Sequence, residues 1–225
     1  MWKSKEKHDS SLLDSMPILG DANPLSSKII INAILEQPES LSLDHAGFYI
    51  NYSSFVFRSL RKPLFQKFLK WMLRREKIEE HMVRAVQVKV FPLRRKNGKG
   101  LAGNCDLSQG KIRIYPKTMT FCRAFKQKFG KPSLLVYAGS RARAALIHEL
   151  LHLKYATDEK KVRKLAKEYF FTFTRNKASN SSQSLTIYTM IFKAKTFGNL
   201  QGARISEQVK LQKDIRLSSK PMIFR

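Results

Sequence analysis

From Pro63 onward, Leu64, Phe65, Phe68, Leu69, Trp71, Met72 and Ile78 are apolar, and Lys and Arg fill the positions between them. Spacings of three and four residues put such positions on one helical stripe, so the pattern predicts an amphipathic basic helix ending near His81. The period then shortens to two. Val86, Val88, Val90 and Pro92 alternate with Gln87, Lys89 and Phe91, the pattern of a half-buried strand. Leu101 to Leu107 and Lys111 to Tyr115 read as two short strands joined at Ser108-Gln109-Gly110, where the glycine supplies the turn dihedral. Helical spacing returns after Ser140, read as an N-cap, over Arg141 to Tyr155. After a break at Ala156-Thr157 a second helix is predicted over Asp158 to Arg175, with Thr157 as its N-cap. Val162, Leu165, Ala166, Tyr169, Phe170 and Phe173 form its stripe.

These elements mix helices with a few short strands, which makes the fold class α+β. We expect a small, mostly antiparallel sheet packed on the Arg141–Tyr155 helix and the helix after it. Residues 45–175 would form this domain. Residues 1–44 read as a less ordered arm around one short apolar segment, Ile29 to Leu35, expected to form a helix. Phe48 to Phe57 is aromatic and β-branched, and its pattern suits either a strand or the start of a helix. From Ala178 to Ser184 a Ser- and Asn-rich linker leads into a basic C-terminal extension, 176–225 in all.

The 225 residues carry 43 Lys and Arg against 17 Asp and Glu, a formal net charge of +26. That imbalance exceeds the magnitude of ~2–8 that keeps a small domain soluble, and it favours a polyanion such as DNA or RNA as a partner. Two cysteines, Cys105 and Cys122, are too few for a disulfide scaffold or a cysteine zinc ribbon. No apolar run approaches the ~18 residues of a membrane span, and the polar start of the chain is not followed by an apolar leader segment. The expected location is therefore the cytoplasm, near the nucleoid if the charge serves nucleic acid.

The chemistry concentrates in His148-Glu149-Leu150-Leu151-His152. On a helix the two histidines, four residues apart, stand one turn apart on one face. Two neutral imidazoles so placed can both reach a Zn2+ ion at ~2.0–2.1 Å. Glu149 lies beside that face, where its carboxylate can take the proton of a water acidified by the metal. Ala144, Ala145, Ile147, Leu151 and Leu153 surround the pair. Unpaired histidines on so apolar a helix would be costly, which argues against two merely solvated side chains. A catalytic zinc site needs a third protein ligand. Asp158 and Glu159 both stand at the start of the following helix, about 50° to either side of its stripe at 100° per residue. Periodicity leaves both open, and an acid there also offsets the helix dipole.

The segment Ala145-Leu-Ile-His-Glu-Leu-Leu-His-Leu-Lys-Tyr155 resembles the zincin metallopeptidases, above all small intracellular ones of the SprT-like and minigluzincin type. The similarity in layout covers about residues 63 to 175. It implies a zincin-like core and zinc-dependent hydrolysis of protein or peptide substrates. His148 and His152 match the family's first two ligands and Glu149 its general base. Glu159 resembles the gluzincin third ligand and is the one we expect; Asp158 is the alternative, standing ten residues after His148, where SprT-like and metzincin-like patterns place His or Asp. The metzincin turn glycine is absent, Tyr155 and Ala156 occupying that region. The resemblance also implies that Lys111 to Tyr115 is the strand beside the cleft, able to pair with extended substrate.

Basic residues cluster in Arg58 to Lys70, Arg74 to Lys77, Arg94 to Lys99, Lys126 to Lys131, Arg141 to Arg143 and Lys160 to Lys167. Phe65, Phe68, Trp71, Phe125 and Phe129 interleave with them. They are either stacking platforms for nucleic-acid bases or core residues whose charged neighbours are solvated, and we expect the core. The alternative to a hydrolase is a non-enzymatic nucleic-acid-binding protein with a structural or degenerate metal site.

Overall fold

A computed structural model describes residues 24–34, 43–93 and 100–178. Its elements, in chain order, are α1 (Pro24–Ser27), β1 (Ile29–Asn32), α2 (Leu43–Leu60), α3 (Pro63–Glu76), a 3-10 turn (Glu80–Met82), β2 (Ala85–Lys89), β3 (Gly103–Asp106), β4 (Lys111–Ile114), α4 (Met119–Tyr155) and α5 (Glu159–Ala178). The fold is α+β, with a four-stranded open sheet in the order β1-β2-β4-β3.

The sheet is mixed, not mostly antiparallel. Only the β3–β4 hairpin is antiparallel, whereas β1–β2 and β2–β4 are parallel. The connection allows this: α2 and α3 separate β1 from β2, a crossover of the length that parallel neighbours require. The segment expected to be a helix in the N-terminal arm supplies β1, so the sheet reaches back before residue 45. β-branched isoleucines favour that choice, since Ile29, Ile30 and Ile31 lie in a strand without crowding a helical turn.

Register gives the sheet one apolar face. Ile29, Val86, Ile112 and Cys105 form one row across the strands, and Ile31, Val88, Ile114 and Gly103 form the next. Val86, Val88, Ile112 and Ile114 are fully buried under α2 and α4. The opposite face carries Gln87 and Arg113, and Arg113 pairs with Asp106 at 3.6 Å.

Phe48 to Phe57 lies within α2, where Tyr49, Tyr52, Ser53, Val56, Ser59 and Leu60 recur at helical spacing and are buried. Helix α3 stops at Glu76, short of His81, because Lys77 turns left-handed (φ 55°, ψ 39°) and its N–H bonds back to the Arg74 carbonyl. Ser140 is no N-cap. Helix α4 begins at Met119, with the Thr118 hydroxyl accepting the Phe121 N–H at 3.4 Å. It kinks at Gly130 (φ 81°, ψ 165°), and Pro132 then sits in the first turn of its second half, where its missing N–H costs no internal bond. The stripe Phe121, Cys122, Phe125 and Phe129 belongs to the first half and packs into the core. The hairpin turn is where the sequence places it, with Gly110 at φ 61°.

Phe65, Phe68 and Phe125 are buried, and Trp71 and Phe129 pack against the same core. Phe65, Phe68 and Phe125 are therefore core residues and not base-stacking platforms, while Trp71 and Phe129 are half-buried. Arg141 and Arg143 also leave the basic surface. Arg141 donates to the Tyr115 and Leu101 carbonyls at 2.6 and 3.0 Å, and Arg143 lies over the rings of Phe65 and Phe173. Burial lowers the pKa of Arg143 to about 10. The Arg94 to Lys99 cluster and the linker and tail beyond residue 178 lie outside the described residues.

Candidate metal centre

The second half of α4 presents His148 and His152 one turn apart, as their spacing requires. Their Nε2 atoms stand 3.2 Å from each other. Glu159, the first residue of α5, places Oε1 3.5 Å from the His148 Nε2 and Oε2 3.2 Å from the His152 Nε2. One donor atom from each of the three residues thus lies within 4.8 Å of the other two. The carboxylate side chain is 44% exposed and the imidazoles 23% and 16%, so the cluster opens to solvent on its α5 side.

A sharp turn brings the two helices together. Ala156 adopts φ 47° and ψ −114°, and its N–H returns to the His152 carbonyl at 2.8 Å. Its carbonyl faces His152 Nδ1 at 2.5 Å. A carbonyl only accepts, so this contact calls for a proton on Nδ1 and turns Nε2 towards the cluster.

The two candidate third ligands separate. Asp158 turns away and accepts the Lys161 N–H at 3.0 Å through Oδ1, so it caps α5 in the role expected of Thr157. Glu159 faces the histidines and accepts from Arg163 Nε at 2.6 Å through Oε1. Burial would raise the Glu159 carboxyl, but the Arg163 hydrogen bond and the neighbouring imidazoles outweigh it, and its pKa falls below the ordinary value.

Glu149 is buried at 7% exposure and lies under β3. A Cβ built on Gly103 would stand 2.8 Å from its Cγ and Oε1. The strand beside the predicted base is therefore β3, at the end of the sheet. Lys111 to Ile114, expected in that place, forms the inner strand β4 instead. The correction follows from the hairpin: β4 pairs with β2 on one side, which leaves β3 outermost.

Sequence reasoning passed over Gly103, Arg163 and Glu76. Glu76 carried a signal, since it is the lone carboxylate of α3 and continues the stripe of Phe65, Leu69 and Met72. A carboxylate on an apolar stripe needs partners. Gly103 carried none, because its role depends on an approach between segments 46 residues apart.

The donor set of two imidazoles and a carboxylate suits zinc. Compared with protein-family models, curated proteins and solved structures, the chain matches none. Among the described residues no helix is long and apolar enough to cross a membrane.

Proposed function

We propose that the chain is a zinc-dependent peptidase with a zincin-like core, in which His148, His152 and Glu159 hold the ion and Glu149 is the general base. One observation carries the reading. Ligand bonds of ~2.0–2.1 Å to a tetrahedral ion put neighbouring donors ~3.3–3.4 Å apart; the two imidazole Nε2 atoms stand 3.2 Å apart, and the Glu159 carboxylate faces both, one oxygen 3.5 Å from His148 and the other 3.2 Å from His152. The resemblance of the His148–His152 segment to zincins supports the same assignment.

When bound, the ion would polarise the scissile carbonyl and acidify a water molecule. The residues of the chain do the rest. Ala156 holds His152 in the tautomer that offers Nε2, and Arg163 orients Glu159. Glu149, held against β3 and away from solvent, takes a proton from the attacking water and returns it to the leaving amine. An extended peptide could add to the outer edge of β3, which would bring its backbone over this carboxylate.

The test is Glu149→Gln. The wild-type protein should hold about one zinc per chain and cleave unfolded protein or peptide substrates. The variant should keep the zinc and lose cleavage. Zinc-loaded wild-type protein no more active than the variant would overturn the peptidase reading, and failure to bind zinc would overturn the site.

A second reading has its own observation, the net charge of +26. Lys67, Arg74 and Arg75 on α3 and Lys160, Lys161, Arg163, Lys164 and Lys167 on α5 are exposed. Such a surface would hold a polyanion, and the protein could then act on proteins bound to DNA or RNA, or bind nucleic acid without hydrolysis. Retention on heparin or DNA at ~0.15 M salt tests the surface, and Glu149→Gln separates the two roles.

A further inference from the structure

The carboxylate of Glu76 lies at the junction of three helices. It ends α3 and is 7% exposed. Its Oε1 accepts from the Tyr169 hydroxyl on α5. Its Oε2 accepts from the Tyr155 hydroxyl at 2.6 Å and from Lys154 Nζ at 3.2 Å, both in the last turn of α4. Lys154 Nζ also donates to the Glu76 carbonyl at 2.6 Å. One residue therefore binds α4 just before the interhelical turn and α5 well after it.

What lies between those anchors is the turn that assembles the candidate site. Lys154 and Tyr155 follow His152 by two and three residues in the helix, and only three residues separate Tyr155 from Glu159. Within the turn Ala156 holds a positive φ that an L-residue rarely adopts. A conformation of that kind persists only where its surroundings over-determine it. Lys161 adds to the fixation from α5, its Nζ lying 4.2 Å from the centre of the Tyr155 ring.

We propose that Glu76 is a positioning residue for the site. By clamping Tyr155 and Lys154 to α3 and Tyr169 to the same carboxylate, it imposes the Ala156 conformation that aims a carbonyl at His152 Nδ1. The His152 ring thereby keeps one orientation, with Nδ1 towards the Ala156 carbonyl, and Glu159 stays opposite the two imidazoles. The inference rests on the zinc reading for its functional consequence, but the clamp itself acts on the metal-free protein.

The experiment compares wild type with Glu76→Gln and, as a milder variant, Tyr155→Phe, which retains the carboxylate and removes one bond from the turn. Imidazole nitrogen NMR on the metal-free proteins reads the tautomer of His152. Amide hydrogen exchange reads residues 156–158, and competition with a chromophoric chelator reads zinc affinity. Wild type should show Nδ1-protonated His152. Both variants should mix tautomers and exchange faster at the turn, and zinc affinity should drop by roughly 10–100-fold in Glu76→Gln, as for other residues that orient metal ligands. If Glu76→Gln does not fold, the same two metal-free readouts on Tyr155→Phe decide. A folded variant with lowered thermal stability but an unchanged His152 tautomer and unchanged turn exchange would overturn the clamp, since a merely structural role moves only stability. If wild type binds no zinc and the variants still show the tautomer change, the zinc reading is overturned and the clamp stands.

Discussion

Gly103 and Glu149 meet so closely that any side chain at residue 103 would overlap the glutamate: the nearest atoms to an added Cβ are Cγ and Oε1, both at 2.8 Å. Position 103 ends the apolar row Ile31–Val88–Ile114, on the sheet face that meets α4, so the strand cannot turn its substituent elsewhere. Gly103→Ala must push Glu149 or β3 aside. A displacement of about 1 Å at a catalytic group can cost on the order of 10²-fold in rate. We expect peptide cleavage to fall by about that factor while zinc content stays at the wild-type level. Zinc analysis alongside steady-state kinetics checks this, and unchanged kinetics would show that Glu149 need not occupy its position under β3.

Glu159 and Asp158 are neighbours in sequence with separate duties, and substitution should separate them further. Glu159→Gln removes the charged donor opposite both imidazoles, so zinc should be lost at chelator concentrations that wild type withstands. Asp158→Ala should keep its zinc and lose about 1 kcal/mol of stability, the usual effect of an N-cap deletion, and Asp158→Asn should restore most of it. Chelator titration and thermal melts on the three variants provide the comparison. A zinc-deficient, stable Asp158→Ala protein would exchange the two roles.

How much of this was legible in the chain differs between residues. His148, Glu149 and His152 were legible because one helical turn fixes their relation, and no tertiary fact is needed. The preference for Glu159 over Asp158 rested on the resemblance and not on periodicity, since the geometry depends on the Ala156 conformation, and an L-residue at positive φ leaves no mark in composition. Strand β2 could be read from Val86 and Val88, yet the partners of a strand are long-range. The parallel pairing with β1 therefore escaped, and β3 took the place beside Glu149 that was expected of β4. The first half of α4 was hidden by Gly130 and Pro132, which punctuate a sequence like a loop although here they only kink a helix. Arg141 and Arg143 looked like surface charge because a run of Lys and Arg does not say which members turn inward.

Arg141 ties the open end of the β3–β4 hairpin to α4, two helical turns before His148. Its guanidinium donates to Tyr115 O and Leu101 O, and Tyr115 N–H bonds to the Ala102 carbonyl beside Gly103. Hydrogen bonds to a charged group contribute ~1.5–3 kcal/mol, so Arg141→Met should destabilise the fold by about 2–4 kcal/mol and loosen the edge strand over Glu149. The expected result is a lower urea midpoint with cleavage reduced more than zinc binding. Equal loss of both would mean that the arginine supports the fold without setting the height of β3.

Glu76 also predicts how the protein responds to acid. Burial alone would raise its carboxyl, but hydrogen bonds from Tyr155, Tyr169 and Lys154 outweigh that and hold its pKa below the ordinary carboxylate value. The charged and titratable groups facing it are those three side chains, from α4 and α5. A carboxyl depressed in the folded state binds fewer protons than in the unfolded chain. Its contribution is thus present above the unfolded pKa, ~4.3 for glutamate, and is lost as pH falls through the lower folded value. Wild type should therefore lose stability on acidification below about pH 4.3 more steeply than Glu76→Gln, whose stability starts lower at pH 7. Urea unfolding of the metal-free proteins at a series of pH values measures both curves. They should converge towards the acid end, and parallel curves would mean that the Glu76 charge contributes nothing to holding the three helices together.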